Sequence, residues 1–191
     1  MDVKRLAIPE VMVLKPQRVR DARGFFTELY SYAKTAKLGL PVFVQDNMSL
    51  SEQVGTLRGL HFQTPPHPQA KLVSVLSGAV LDVAVDARRG SPTFGQHVSH
   101  VLDADGGEQM FVPVGFLHGF VTLKPDTRVM YKVSDVYAPG CDGSVLWSDP
   151  DLAIDWGLGA DQAILSAKDE GAQRFADFAS PFEYAPPEPV T

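Results

Sequence analysis

The sequence predicts an all-β fold, a sandwich or barrel of short strands with a few short peripheral helices. Three observations carry this prediction. Apolar residues recur with the period of strands, turn residues separate the runs at short intervals, and helical patterning is thin. In chain order, residues 32–38 can form a short helix. Leu72-Val73-Ser74-Val75-Leu76 is followed by Ser77-Gly78 and then by residues 79–86, which reads as two strands joined by a glycine-containing turn. Residues 96–102 alternate, with Val98, His100 and Leu102 on one face and His97, Ser99 and Val101 on the other. Asp103-Ala104-Asp105-Gly106-Gly107 is a strong turn signal. Residues 109–113, 117–123 and 128–136 read as further strands. Between 149 and 169, turn residues mix with short helical stretches. Residues 184–191 carry three prolines and read as a loosely ordered tail.

A chain of 191 residues suits one domain, 1–191, with a sizeable core. Its 45% hydrophobic and 21% charged residues are ordinary for a globular protein. A net charge of −6 argues against a nucleic-acid surface, although a few Arg and Lys converging in one pocket still bind an anion. The single cysteine, Cys141, allows no intrachain disulfide and fits a reducing compartment. No apolar run approaches membrane-spanning length, and the first nine residues lack the apolar stretch of a signal peptide. The expected location is the cytoplasm, with no membrane partner.

Two of the five histidines, His61 and His118, are framed by apolar residues. A lone histidine so placed is more often a hydrogen-bonded structural residue, yet a neutral imidazole is also the commonest general base. Metal-binding β-barrels often use a His-x-His pair with a nearby Glu. Here Phe62 and Gln63 follow His61, His97 and His100 have the wrong spacing for one strand face, and His67 lies in a proline-rich loop. No metal is expected. Gly-x-Ser-x-Gly and Gly-rich phosphate-loop signals are absent from the sequence. What remains is a dispersed polar set inside apolar strands: Arg58, His61, Lys71, His118, Tyr131 and Lys132. Arg and Lys pair with phosphates, and His and Tyr exchange protons. Periodicity alone does not assemble them.

Several runs carry a family resemblance. They include Arg23-Gly24-Phe25-Phe26-Thr27-Glu28, Gln45-Asp46-Asn47, Leu57-Arg58-Gly59-Leu60-His61-Phe62-Gln63, Gln69-Ala70-Lys71, Gly90-Ser91-Pro92-Thr93-Phe94-Gly95, Leu117-His118-Gly119-Phe120 and Ser166-Ala167-Lys168-Asp169. In their order, over about residues 8–184, the chain resembles the dTDP-4-dehydrorhamnose 3,5-epimerases. The resemblance implies a cupin-like jelly-roll β-barrel and epimerisation, without cofactor, of a dTDP-linked 4-keto-6-deoxy sugar in dTDP-L-rhamnose biosynthesis. It also implies roles. His61 is the general base, Asp169 its orienting carboxylate, Tyr131 the acid on the opposite ring face, and Lys71 the stabiliser of the enolate oxygen. His118 lies close to the sugar. Arg23, Glu28, Gln45, Asp46, Asn47, Arg58, Asp142 and Lys168 bind the nucleotide sugar, and Tyr137 stacks on the thymine. A homodimer is implied, with an N-terminal strand crossing to complete the partner's site.

The residue types suit the chemistry. A C4 ketone acidifies the protons on C3 and C5, a cation stabilises the developing oxyanion, and inversion needs two proton-transfer groups on opposite faces. Two positions depart from the family's pattern: Met48 replaces a common His, and Asp142 a common Glu. Other readings stay open: inversion at C3 or C5 only, a sugar ketoisomerase, or a non-catalytic sugar-binding barrel.

Overall fold

A computed structural model describes residues 1–186, so the last five residues of the proline-bearing tail lie outside the described residues. The strands are β1 (Asp2–Arg5), β2 (Met12–Lys15), β3 (Arg18–Asp21), β4 (Gly24–Thr27), β5 (Gln45–Ser51), β6 (Leu57–Gln63), β7 (Lys71–Ser77), β8 (Ala79–Asp86), β9 (His97–Asp103), β10 (Gln109–Val112), β11 (Phe116–Thr122), β12 (Thr127–Val133) and β13 (Asp142–Ser144). Two short helices are α1 (Tyr32–Ala36) and α2 (Ala167–Glu170).

A six-stranded sheet of order β1-β2-β10-β7-β12-β5 faces a five-stranded sheet of order β13-β6-β11-β8-β9, and β3-β4 form a separate hairpin. From β5 to β13 the chain changes sheet at every step except β8 to β9. That crossing pattern is the expected cupin-like jelly roll. The two strands around Gly78 therefore do not pair with each other. Gly78 turns a corner between sheets, with φ of +80°, and a Cβ there would lie 2.1 Å from Thr127 Oγ1. Only glycine fits that corner.

Between the sheets, Val73, Val75, Val80, Ala84, Phe116, Phe120 and Val129 form one core. A second core lies on the outer face of the smaller sheet. There Leu57, Val83, Val85 and Leu117 meet Trp147, Trp156, Phe178 and Phe182 from the C-terminal third. Both faces of β11 are thus covered, and all seven of its residues are buried. This explains why β8 and β11 read as near-continuous apolar runs. On edge strand β9, burial alternates as predicted, with Val98 and Leu102 inside. Among the described residues, no helix is long and apolar enough to cross a membrane.

Candidate active site

The open end of the barrel holds a groove of about 460 Å³, lined by Gln45, Asn47, Met48, His61, Lys71, Tyr131, Tyr137 and Asp142 among others. It leads to an inner chamber of about 140 Å³, which His61, Lys71 and Tyr131 also line. Arg58, His118, Phe120 and Ser49 complete the chamber. A concave site with convergent polar groups on apolar walls is where chemistry is expected.

His61 is set by its strand and by two glycines. On the β6–β11 ladder, His61 lies directly opposite His118, and the register shifts between His118 and Phe120. The strands approach closely there: a Cβ on Gly59 would lie 2.5 Å from the Gly119 Cα. His61 Nε2 donates to Asp169 Oδ1 at 2.6 Å, which leaves the lone pair on Nδ1. Asp169 is held in place by local sequence. Ser166 caps α2, its hydroxyl accepting from the Asp169 N–H at 3.2 Å. Burial works to raise the Asp169 pKa. The His61 hydrogen bond and charge, with Ser166 and the Gly59 amide, outweigh it and hold the carboxyl below the ordinary value.

A second, deeper pair is built alike. His118 Nε2 donates to Asp82 Oδ1 at 2.7 Å, and Asp82 is wholly buried. Burial lowers the His118 pKa, and the charges of Lys71 and His61 act in the same direction against the Asp82 carboxylate. Lys71 is pulled down to about 8, by burial first, while Asp82 and Asp142 hold it up and Lys168 lowers it further. Its ammonium lies 5.9 Å from the Tyr131 ring centre. Tyr131 sits opposite Asn47 on the β12–β5 ladder. Burial raises its pKa against the opposing Arg58 charge and Asn47 hydrogen bond, so the phenol keeps its proton at neutral pH.

The groove's mouth is organised by amides. Gln45 Nε2 donates to Asn47 Oδ1 at 2.8 Å, and Gln45 Oε1 accepts from the Tyr137 N–H at 3.0 Å. Gln63, almost fully buried, accepts from the Ala138 N–H and donates to the Val136 carbonyl. These bonds hold the loop that presents Tyr137, which is exposed. The short side chain of Asp142 still reaches Lys168 Nζ, at 2.5 Å. Asp46 lines the groove and accepts two bonds from Lys132. Among the described residues, no three His, Cys, Asp or Glu side chains gather as metal ligands would.

The sequence model of dTDP-4-dehydrorhamnose 3,5-epimerase matches residues 5–177. The chain belongs to the dTDP-4-dehydrorhamnose 3,5-epimerase family. It is 49% identical to the dTDP-4-dehydrorhamnose 3,5-epimerase of Pseudomonas aeruginosa over 93% of this chain and 97% of that one. Its fold matches the crystal structure of dTDP-6-deoxy-D-glucose-3,5-epimerase from Legionella pneumophila in complex with dTDP-4-keto-L-rhamnose. There the TM-score is 0.92 and the identity 42%, over 96% of this chain and 98% of the other. A 3'-monoepimerase from Streptomyces bikiniensis in complex with dTDP-quinovose also matches, with TM-score 0.82 and 34% identity over 90% and 87% of the two chains.

Measured against the family motifs, the barrel gathers His61, Lys71, Tyr131, His118 and Arg58 at one place, with Gln45, Asp46, Asn47, Tyr137 and Asp142 around its mouth. Lys168 is tied to that mouth through Asp142. Two members of the expected set lie elsewhere. Arg23 pairs with Asp21 at the tip of the β3–β4 hairpin, and Glu28 pairs with Lys34. Neither lines the groove of its own chain. Asp82, Gln63 and Gln69 were not singled out from the sequence. The signal for Asp82 is a lone acid within an apolar run, which becomes meaningful only when β8 is paired with β11.

Proposed function

We propose that the protein inverts C3 and C5 of dTDP-4-dehydro-6-deoxy-D-glucose to give dTDP-4-dehydro-L-rhamnose. The observation that carries this reading is the placement of two proton-transfer groups on opposite walls. His61 comes from the five-stranded sheet and Tyr131 from the six-stranded sheet, and both line one chamber with Lys71. The Nδ1 lone pair of His61 removes a proton from the carbon next to the ketone. Negative charge moves to the ketone oxygen, where the Lys71 ammonium stabilises it. Tyr131 returns a proton to the other face of the ring and leaves that centre inverted. His61 then releases its proton to solvent and Tyr131 regains one from it. Repetition at the second carbon completes the reaction, and no step calls on a metal or redox group. Gln45, Asp46, Asn47, Arg58, Asp142 and Lys168 hold the nucleotide sugar, His118 contacts the sugar, and Tyr137 stacks on the thymine. The lone Cys141 thiol fits work in the reducing cytoplasm.

The test is product analysis by NMR after incubation with dTDP-4-dehydro-6-deoxy-D-glucose. Inversion at both carbons supports the reading. Inversion at one carbon supports a monoepimerase, which the Streptomyces bikiniensis relative makes the second reading. A displaced carbonyl indicates a ketoisomerase, and unchanged sugar a binding protein.

The Lys71 environment sets a pH dependence. The oxyanion needs the charged form, and the Lys71 pKa lies at about 8. Activity should therefore fall as pH rises through about 8. In Lys71→Met the remaining activity should be lower by ~10²–10³-fold, the usual cost of one such group, and lack that alkaline limb. A kcat profile between pH 6 and 10 checks this.

The position of Arg23 and Glu28 supports a homodimer in which each hairpin completes the neighbouring site. The hairpin exposes Val19, Phe25 and Phe26, an apolar surface that suits burial against a second copy. Strand β1 pairs with β2 of its own chain at the edge of the six-stranded sheet, and β2 is core, so truncation before Pro16 would remove buried Val11, Met12, Val13 and Leu14. Complementation is the cleaner test. Arg23→Ala and His61→Asn chains, each impaired alone, should regain roughly a quarter of wild-type activity when co-expressed, because one site in each mixed dimer is complete. No gain on co-expression would place Arg23 in its own chain's site or outside the mechanism.

A further inference from the structure

One polar atom in the inner chamber has no role in the reaction described so far. Ser49 lies on β5, two residues beyond Asn47 and opposite Val129 of β12. One strand repeat, ~7 Å, thus takes the wall from Asn47 to Ser49, towards the deep end of the site. Its Oγ is buried and has no hydrogen-bond partner among the described residues.

The chamber's other polar groups are accounted for. His61 holds Asp169, and His118 holds Asp82. Arg58 donates to Ser51 and to the Leu50 carbonyl, and Tyr131 and Lys71 are the acid and the cation of the reaction. A buried hydroxyl without a partner destabilises the chain that carries it, and an alanine there would not incur that cost. Such a group belongs to a ligand. Its neighbours say which kind: Phe120 supplies apolar wall, and His61, Tyr131 and Lys71 are committed to proton transfer and the ketone oxygen.

We infer that Ser49 is a sugar-positioning residue, whose hydroxyl bonds a ring hydroxyl of the nucleotide-linked sugar and fixes the ring between His61 and Tyr131. The inference rests on the epimerase reading above. It assigns Ser49 to recognition of the hexose and not of the nucleotide, since the nucleotide-binding amides lie at the mouth.

Calorimetric titration of wild type and Ser49→Ala with dTDP and with dTDP-glucose tests it. The second ligand carries ring hydroxyls but no ketone, so nothing turns over. The dTDP affinity should be unchanged within about two-fold, whereas dTDP-glucose should bind roughly ten-fold more weakly, the worth of one buried hydrogen bond. The melting temperature should not fall, because the lost hydroxyl has no protein partner. Equal dTDP-glucose binding by both proteins would overturn the inference and leave the epimerase reading standing. A parallel loss of both ligands with a lower melting temperature would also overturn it, by making Ser49 a structural residue. A wild type that binds neither ligand would overturn the epimerase reading itself, and the inference with it.

Discussion

His61→Asn is expected to lose ~10²–10⁴-fold in kcat, the usual contribution of a general base. The fold should survive, because His61 lines the chamber and the β6–β11 ladder beneath it is held by backbone pairing, not by the imidazole. An unchanged melting temperature alongside the lost rate separates chemistry from folding. His118 is no substitute. It lies opposite His61 on the ladder, but its Nε2 is committed to buried Asp82, and it sits at the chamber's deep end. Asp169→Asn should be less damaging. Asp169 orients the imidazole and stabilises its charged form, and it does not touch the carbon proton. Full activity of purified His61→Asn would remove this histidine from the mechanism.

Tyr131→Phe is expected to cost product formation by a similar factor, ~10²–10⁴-fold, while proton abstraction continues. The variant keeps the ring and its packing and loses only the phenol. His61, Asp169 and Lys71 remain, so the enolate still forms. In deuterated water the base can return a deuteron to the face it came from, with configuration retained. Exchange at C3 or C5 should therefore outrun inversion. The competing account is that Tyr131 is a packing aromatic opposite Asn47, whose hydroxyl serves only a local hydrogen bond. Its loss would then cost about 1 kcal/mol of stability and leave the ratio of exchange to inversion unchanged. Following deuterium uptake and product configuration on one sample decides between them.

Strands that bury one face were legible in the sequence, and others were not. Residues 96–102 showed their alternation because β9 presents Val98 and Leu102 to the core and Ser99 and Val101 to solvent. Strands β1 and β3 gave no such signal, because nearly all their residues are exposed and a period of two needs one covered face. The segments around Gly78 were recognisable as strands, but local pattern does not name a strand's partner, and the two lie in different sheets. The site divides in the same way. His61, Lys71, Tyr131 and Asp169 stand in recognisable motifs far apart in the chain, and only strand pairing brings them together. Arg23 and Glu28 stand in an equally recognisable motif, yet they lie away from their own groove, because a motif match does not specify where the backbone carries it. No role attached to Asp82 or Ser49 in the sequence: one acid and one serine within strands acquire meaning only when their buried surroundings are known.

The central claim is that one chamber removes and returns protons at two carbons flanking a ketone. Its most direct test is turnover of dTDP-4-dehydro-6-deoxy-D-glucose in deuterated water, with mass and carbon position of the label read on the isolated product. The account predicts one deuterium at C3 and one at C5, both centres inverted, with the label absent when His61→Asn replaces the wild type. Inverted product without solvent deuterium on carbon, or label in the product of His61→Asn at the wild-type rate, would contradict it.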